Sequence, residues 1–266
     1  MTDAPQQQGD DLVQIKKQVY KDPRPLSELQ KYYDWPLTHK PDWIYELVHS
    51  CSSVYAWLFF RTTVIDSHKI PTSGPLIMAP NHASNADHFF LGSATRRKVQ
   101  FMGKSQLFKG WFAWVLKHGG VFPVRRGYGD DQSFEVALSI LERNGTICTY
   151  CEGGRSRTGK LADRPKAGIG RIALQSGAMV MPAAISGATR VRNWKRLQFP
   201  KITILFGDPL HFEVVDEPTR EQQQAAADQI FDELRALYAQ LEELGPAKTR
   251  AARKAARKAA RKAAAS

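Results

Sequence analysis

Short apolar runs alternate with segments of helical periodicity over residues 64–207. The apolar runs predict six strands, at residues 76–79, 99–102, 121–124, 146–151, 180–185 and 202–206. Between them, apolar positions at helical spacing predict four helices, at residues 86–95, 111–117, 130–143 and 167–176. This alternation is typical of an α/β fold, and we predict a mixed, largely parallel sheet flanked by helices.

Three further helices are predicted outside this alternating region. Residues 11–21 form a short candidate, ended by the prolines that follow it. Residues 43–60 hold apolar side chains on one face for more than four turns, and the helix becomes apolar all round at its end. It is too polar to span a bilayer, so it either packs on the core or lies in a membrane interface. A last amphipathic helix begins near Pro218 and is predicted to end at Gly245-Pro246.

Charge is concentrated at the end of the chain. The net charge is +12, and the eight Lys and Arg residues after residue 247 leave only +4 on the rest. Residues 251–262 repeat Ala-Ala-Arg-Lys and have no apolar face. Such a tail binds either anionic lipid or, without sequence preference, nucleic acid, and we favour lipid.

Cysteine content and hydropathy indicate the cellular compartment of the protein. Three cysteines without a signal-peptide pattern predict a reducing cytoplasm. No apolar stretch approaches the roughly 18 residues that a membrane-spanning helix needs. The chain is therefore expected to have no transmembrane helix.

The most informative short stretch follows the first strong strand. His82 lies just past the strand end, where α/β folds place their sites, and Asp87 follows five residues later. Ser84 or Asn85 is predicted to be the N-cap of the helix at residues 86–95. A histidine held by a carboxylate is a general base, whereas the alternative is a loop histidine and a solvated aspartate.

Three other patterns favour ordinary structural roles. Gly154 and Gly159-Lys160 nearly match a phosphate-binding P-loop, but Leu161 stands where a magnesium-binding Ser or Thr is needed. Cys148 and Cys151 have no second pair and would point to opposite faces of a strand. His88 has no recognisable partners for a metal, so no metal site is predicted.

Four stretches, read in order, resemble a known family. They lie at residues 81–87, 120–127, 152–156 and 180–187, and together they resemble the glycerolipid acyltransferases, specifically the 1-acylglycerol-3-phosphate (lysophosphatidate) acyltransferases. The resemblance covers about residues 74–207. The third stretch departs from the family pattern, because Tyr150-Cys151 replaces Phe-Pro and Gly154 replaces Thr.

The resemblance implies a reaction and a set of roles. An acyl group would pass from acyl-CoA or acyl carrier protein to the sn-2 hydroxyl of lysophosphatidate, giving phosphatidate without a cofactor. His82 would act as general base and Asp87 would orient it. Three basic residues would bind the substrate phosphate: Arg126, Arg155 and Lys104. Three others would shape the acceptor pocket: Glu152, Gly153 and Pro182.

The predicted organisation has four parts. Residues 1–10 are expected to be disordered, 11–62 to form a helical membrane-association region, 63–245 the acyltransferase domain and 246–266 the basic tail. The protein would be peripheral, at the cytoplasmic face of the cell membrane. Other acceptors, such as glycerol-3-phosphate or another lysolipid, remain open. A noncatalytic membrane or nucleic-acid-binding protein is the alternative of another class.

Overall fold

A seven-stranded sheet organises the residues that the computed structural model describes, which are 21–127, 130–156, 158–191 and 199–263. In chain order the strands are β1 (Thr63–Ile65), β2 (Leu76–Pro80), β3 (Val99–Lys104), β4 (Val121–Val124), β5 (Thr146–Cys148), β6 (Met179–Ser186) and β7 (Thr203–Phe206). Their spatial order is β1-β7-β6-β2-β5-β3-β4. The five strands from β6 to β4 are parallel, and β7 pairs antiparallel with β6. β1 runs parallel to β7, so the sheet is mixed and largely parallel, as predicted.

Helices cover both faces of the sheet. They are α1 (Leu26–Thr38), α2 (Trp43–Leu58), α3 (Asp87–Ser93), α4 (Gly110–His118), α5 (Asp131–Glu142), α6 (Gly168–Ser176) and α7 (Arg220–Ala263). Alternate residues of β2 divide between two cores, because successive strand side chains point to opposite faces. Ile77 and Ala79 pack with α1, α5, α6 and α7, whereas Leu76 and Met78 pack with α2 and α3.

The predicted elements of the alternating region are confirmed with small shifts at their ends. All six strands and all four helices are present, although β5 stops at Cys148 where a strand to residue 151 was predicted. Two elements were missed. β1 is only three residues long, and α1 contains Pro36, which disfavours a helix locally. Burial of Leu29 and Tyr33 in the core supplies the stabilisation that the local sequence of α1 does not.

The predicted end of the last helix at Gly245-Pro246 is wrong. α7 continues through both residues to Ala263. Alanine has the highest helix propensity, and Ala252 and Ala256, one turn apart, pack against the core. The helix predicted at residues 11–21 and the disorder predicted at residues 1–10 lie outside the described residues, apart from Lys21.

Helix α7 crosses α6 at very close range. A Cβ atom added to Gly170 of α6 would lie 1.9 Å from the carbonyl oxygen of Gln223 in α7. Only glycine therefore permits this backbone approach. Within the described ranges, no helix combines the length and apolarity that crossing a bilayer requires.

Candidate active site

The carboxyl ends of neighbouring parallel strands bring the predicted site residues to one edge of the sheet. His82 follows β2, Lys104 ends β3, Arg126 follows β4 and Glu152 follows β5. Open α/β sheets bind ligands outside this edge. The topology of the sheet therefore brings these residues together although they are far apart in the sequence.

His82 and Asp87 form a buried pair. Nδ1 of His82 lies 2.9 Å from Oδ2 of Asp87. The same oxygen accepts hydrogen bonds from the backbone N–H groups of Ala83, at 2.6 Å, and Ser84, at 2.8 Å. Asp87 therefore fixes both the ring and the turn that carries it. With Nδ1 bonded to the carboxylate, Nε2 is the ring nitrogen left to exchange a proton with a substrate.

The predicted cap of the following helix is wrong. α3 begins at Asp87, and its N-cap is Ala86 rather than Ser84 or Asn85. The hydroxyl of Ser84 accepts a hydrogen bond from the N–H of Ala86 at 3.2 Å, which stabilises the turn before the helix. Ser84 therefore stabilises the loop that orients Asp87 and does not cap the helix.

The surroundings of His82 favour its neutral form. Burial lowers the pKa of His82, Asp87 opposes this effect, and the positive charges of Arg155 and Arg126 lower the pKa further. An imidazole whose pKa lies below its ordinary value near 6.5 is unprotonated at neutral pH. His82 is therefore in the state that accepts a proton.

Tyr150 holds one face of the His82 ring. The two rings are stacked with centroids 3.8 Å apart and planes 15° from parallel. The hydroxyl of Tyr150 is hydrogen-bonded to Nδ1 of His88 at 3.1 Å. Burial is the main cause that lowers the pKa of His88 to about 4, so His88 is neutral. Sequence reasoning did not place these two residues in the site, although Tyr150 stood out as a replacement for a family phenylalanine.

Glu152 bonds to the backbone of the loop that carries His82. Its Oε1 accepts a hydrogen bond from the N–H of His82 at 2.7 Å, and its Oε2 accepts one from Ala162 at 3.1 Å. The carbonyl of His82 accepts a hydrogen bond from the N–H of Ser156 at 2.8 Å. The segment after β5 therefore holds His82 through both its backbone N–H and its backbone carbonyl.

The positive charges of Arg126 and Arg155 act on both His82 and Lys104. Burial, together with the charges of Arg126 and Arg155, lowers the pKa of Lys104 to about 8. Burial also lowers the pKa of Arg155, against the opposing charge of Asp87. Positive charges that lower the pKa of Lys104 repel its ammonium group, and an anion bound between these side chains would relieve the repulsion. The cluster therefore suits a doubly charged group such as a phosphate.

The two glycines of the third stretch allow close packing. Gly153 has φ +65°, and a Cβ atom there would meet the Cγ of Lys166 at 2.6 Å. A Cβ atom on Gly154 would lie 3.3 Å from Nη1 of Arg126. The guanidinium of Arg126 thus rests against backbone at the position where the family pattern has Thr.

Pro182 lies apart from this cluster. It is buried inside the sheet on β6, paired with Ala79, and its carbonyl accepts a hydrogen bond from Gly207 at 2.9 Å. Its ring faces the layer of α7, because a Cβ atom on Gly207 would contact both Pro182 and Leu237. The structure therefore brings together the predicted site residues except Pro182.

An apolar cavity lies beside the turn that precedes α3. It has a volume of about 540 Å³ and lies between α2 and α3. Its lining includes Leu47, Cys51, Tyr55, Phe60, Phe89 and Phe199. Ala86, which directly precedes Asp87 in the sequence, also lines the cavity.

The two cysteines and the glycine-rich stretch occupy ordinary structural positions. Cys148 and Cys151 are free, buried in different cores, and burial raises the pKa of both thiols. No helix follows Gly159-Lys160 directly, since α6 begins at residue 168. In the part of the chain that is described, no three His, Cys, Asp or Glu side chains are grouped to hold a metal.

Comparison with known proteins gives three concordant matches. Residues 61–186 match the family model described as Acyltransferase. Over 143 residues, half of this chain, the sequence is 26% identical to a glycerol-3-phosphate acyltransferase of Colwellia psychrerythraea, of whose length the chain spans 17%. The 1-acyl-sn-glycerophosphate (LPA) acyltransferase PlsC of Thermotoga maritima has the same fold, with a TM-score of 0.59 and 20% identity over 81% of this chain and 88% of that chain. Residues 61–186 of this chain therefore match an acyltransferase family, and both named proteins are glycerolipid acyltransferases.

Proposed function

We propose that this protein transfers an acyl group from a thioester to the sn-2 hydroxyl of lysophosphatidate, giving phosphatidate. The observation that carries the proposal is the His82–Asp87 pair, with the positive charges of Arg126 and Arg155 acting on both His82 and Lys104. A base next to an anion site suits an acceptor that carries a hydroxyl and a phosphate a few bonds apart.

His82 and Asp87 would supply the proton chemistry. Nε2 of His82 takes the proton of the acceptor hydroxyl while the oxygen attacks the thioester carbonyl carbon. The tetrahedral intermediate then collapses, the carbon–sulfur bond breaks and the departing thiolate takes the proton from His82. Asp87 stabilises the imidazolium between these two steps. The acyl group moves directly, so no covalent enzyme intermediate is needed.

Lys104, Arg126 and Arg155 would bind the acceptor phosphate. A guanidinium makes two parallel hydrogen bonds to an oxyanion, and a lysine adds a compact charge. The apolar cavity would hold an acyl chain, and each buried methylene contributes about 0.8 kcal/mol. This cavity favours an acceptor or donor with a long chain over small soluble substrates.

We also infer a peripheral position on a membrane, at the cytoplasmic face where acyl thioesters are available. Trp43 and Trp57 of α2 are 64% and 70% exposed, and Trp111 of α4 is 78% exposed. Tryptophan side chains exposed to this extent are typical of surfaces that enter the headgroup region of a bilayer. The basic tail from residue 247 on would add attraction to anionic lipid, with nucleic acid as its alternative partner.

Glycerol-3-phosphate is the second candidate acceptor. The matched relative from Colwellia psychrerythraea is named a glycerol-3-phosphate acyltransferase. The same cations and base would serve this acceptor, which lacks an acyl chain. The two acceptors therefore differ in whether the acceptor itself occupies the apolar cavity.

A turnover assay with a panel of acceptors tests the proposal. Purified protein would be given lysophosphatidate, glycerol-3-phosphate or lysophosphatidylcholine, each with acyl-CoA and with acyl carrier protein as donor. We expect the highest kcat/KM with lysophosphatidate, and a loss of about 10²–10⁴-fold in His82→Ala. His68→Ala, a change at an exposed histidine, is the matched control. Near-native turnover by His82→Ala, or no transfer to any phosphorylated acceptor, would overturn the proposal.

A further inference from the structure

A short segment before α1 reaches the loops that carry the phosphate-binding candidates. It contains Asp22 and Arg24 and lies outside residues 61–186, which match the acyltransferase family model. Asp22 is buried, and its carboxylate accepts hydrogen bonds from Arg24 Nε at 3.0 Å and Nη2 at 2.7 Å. The Arg24 side chain holds the pKa of Asp22 well below its usual range. The guanidinium is thus fixed in one orientation.

The far side of this guanidinium holds the loop after β3. Nη1 of Arg24 donates to the carbonyl of Phe108 at 2.7 Å, and Nη2 donates to the carbonyl of Ser105 at 2.5 Å. Ser105 directly follows Lys104, and Phe108 is buried in the core. Arg24 therefore fixes the backbone on which the Lys104 side chain stands.

The backbone of Arg24 contacts the loop after β4. Its carbonyl accepts a hydrogen bond from Nη2 of Arg125 at 3.0 Å. The N–H of Arg125 donates to Oδ2 of Asp130 at 2.6 Å, and Tyr33 of α1 donates to the same oxygen at 2.7 Å. Arg125 directly precedes Arg126. One residue of the N-terminal segment thus contacts both loops.

We propose that Arg24 is a positioning residue that sets the spacing between Lys104 and Arg126 in the acceptor phosphate site. The inference rests on the proposed function, because it assigns these two cations to phosphate. Like charges in a partly buried site drive the two loops apart when no anion is bound. The hydrogen bonds of Arg24 keep the two loops at the separation that a bound phosphate requires, so less of the binding free energy is lost in ordering them.

Acceptor kinetics of an Arg24→Ala variant test this role. The KM for lysophosphatidate should rise by about tenfold to a hundredfold, the scale of a displacement of roughly 1 Å, while kcat stays within about threefold. Arg24→Lys should recover part of the loss, because an ammonium lacks the guanidinium fork that bonds two carbonyls at once. The matched control is Arg143→Ala. Like Arg24, Arg143 donates to backbone carbonyl oxygens. Its acceptors are Pro36 in α1 and Ser139 in α5, away from the phosphate site.

Two further readouts separate positioning from general stability. In a Lys104→Ala background, Arg24→Ala should add less than about threefold to KM, because the two changes act on one interaction. Hydrogen exchange at residues 105–108 should accelerate in Arg24→Ala and not in Arg143→Ala, because only the contacts to this loop use the Arg24 side chain. An unchanged acceptor KM, an equal rise in the control, or unchanged exchange at residues 105–108 would overturn the inference. If the wild-type enzyme transfers to no phosphorylated acceptor, the proposed function fails while the exchange comparison still decides whether Arg24 holds the loop after β3.

Discussion

Replacing Asp87 with asparagine separates the charge of this residue from its geometry. The amide oxygen of asparagine can still accept hydrogen bonds from the turn, but it cannot stabilise an imidazolium by charge. At the observed Nδ1–Oδ2 distance of 2.9 Å, full unit charges attract by about 6 kcal/mol at an effective dielectric constant of about 20. With the proton roughly half transferred in the transition state, the variant should lose about 2–3 kcal/mol of transition-state stabilisation, or roughly 30- to 160-fold in kcat.

The assay is the pH dependence of acyl transfer to lysophosphatidate. Asp87 raises the pKa of His82 against the effect of burial, so removing its charge lowers that pKa further. The acid limb of the kcat profile should therefore move to lower pH while the plateau falls. His82→Ala should lose more activity than Asp87→Asn, because it removes the base itself.

Asp42→Asn is the matched control for this change. Asp42 also pairs with a histidine, His118, and accepts a backbone hydrogen bond from Ile44 at 2.9 Å, but it lies at the start of α2. The control should leave kcat and its acid limb unchanged. A plateau within about threefold of wild type in a folded Asp87→Asn variant, or an acid limb that moves to higher pH, would refute the reasoning.

Three further predictions concern binding, packing and membrane contact. Arg126→Ala should weaken acceptor binding by about 1.5–3 kcal/mol, with Lys recovering part, and an unchanged KM would contradict this role. The same variant should move the alkaline limb of kcat/KM above pH 8, because Arg126 contributes to lowering the pKa of Lys104 to about 8. Gly170→Ala should cost about 1–3 kcal/mol in the free energy of urea unfolding, since α6 and α7 must separate; equal unfolding midpoints would exclude this crossing. In vesicle sedimentation, Trp111→Ala should reduce the membrane binding that survives high salt. Deletion of residues 247–266 should reduce the salt-sensitive part of the binding, to which each basic residue contributes at most about 1 kcal/mol. Equal low-salt binding of full-length and truncated protein would rule out the tail as a tether.

The fold was predictable where local pattern and topology agree. The run at residues 76–79 is fully buried, so its apolar character alone identifies a central strand. Once five strands are parallel, their carboxyl ends share an edge. His82, Lys104, Arg126 and Glu152 must then meet, whatever their separation in the sequence. The His82–Asp87 contact was predictable for a simpler reason, because four intervening residues are enough for one turn.

The unpredicted contacts depend on distant partners. Arg24 bonds to a carbonyl 84 residues away, and Glu152 bonds to a backbone N–H 70 residues away. Neither partner is a side chain, so no residue type in the sequence marks the contact. The continuation of α7 past Pro246 was missed for a related reason, since proline opposes the helix locally while the packing of Ala252 and Ala256 favours it.

The cations and the base of this site are electrostatically coupled, which bears on the proposed reaction. The charges of Arg155 and Arg126 add to the burial that lowers the pKa of His82. A bound acceptor phosphate would offset these two charges, and the pKa of His82 would rise toward its ordinary value. Brønsted behaviour makes His82 a stronger base after that rise. The same phosphate would raise the pKa of Lys104, whose value of about 8 partly reflects repulsion by the arginines. Acceptor binding would therefore strengthen the base at the moment when a hydroxyl is present to be deprotonated, and an acceptor without a phosphate would forgo this gain as well as its binding contacts.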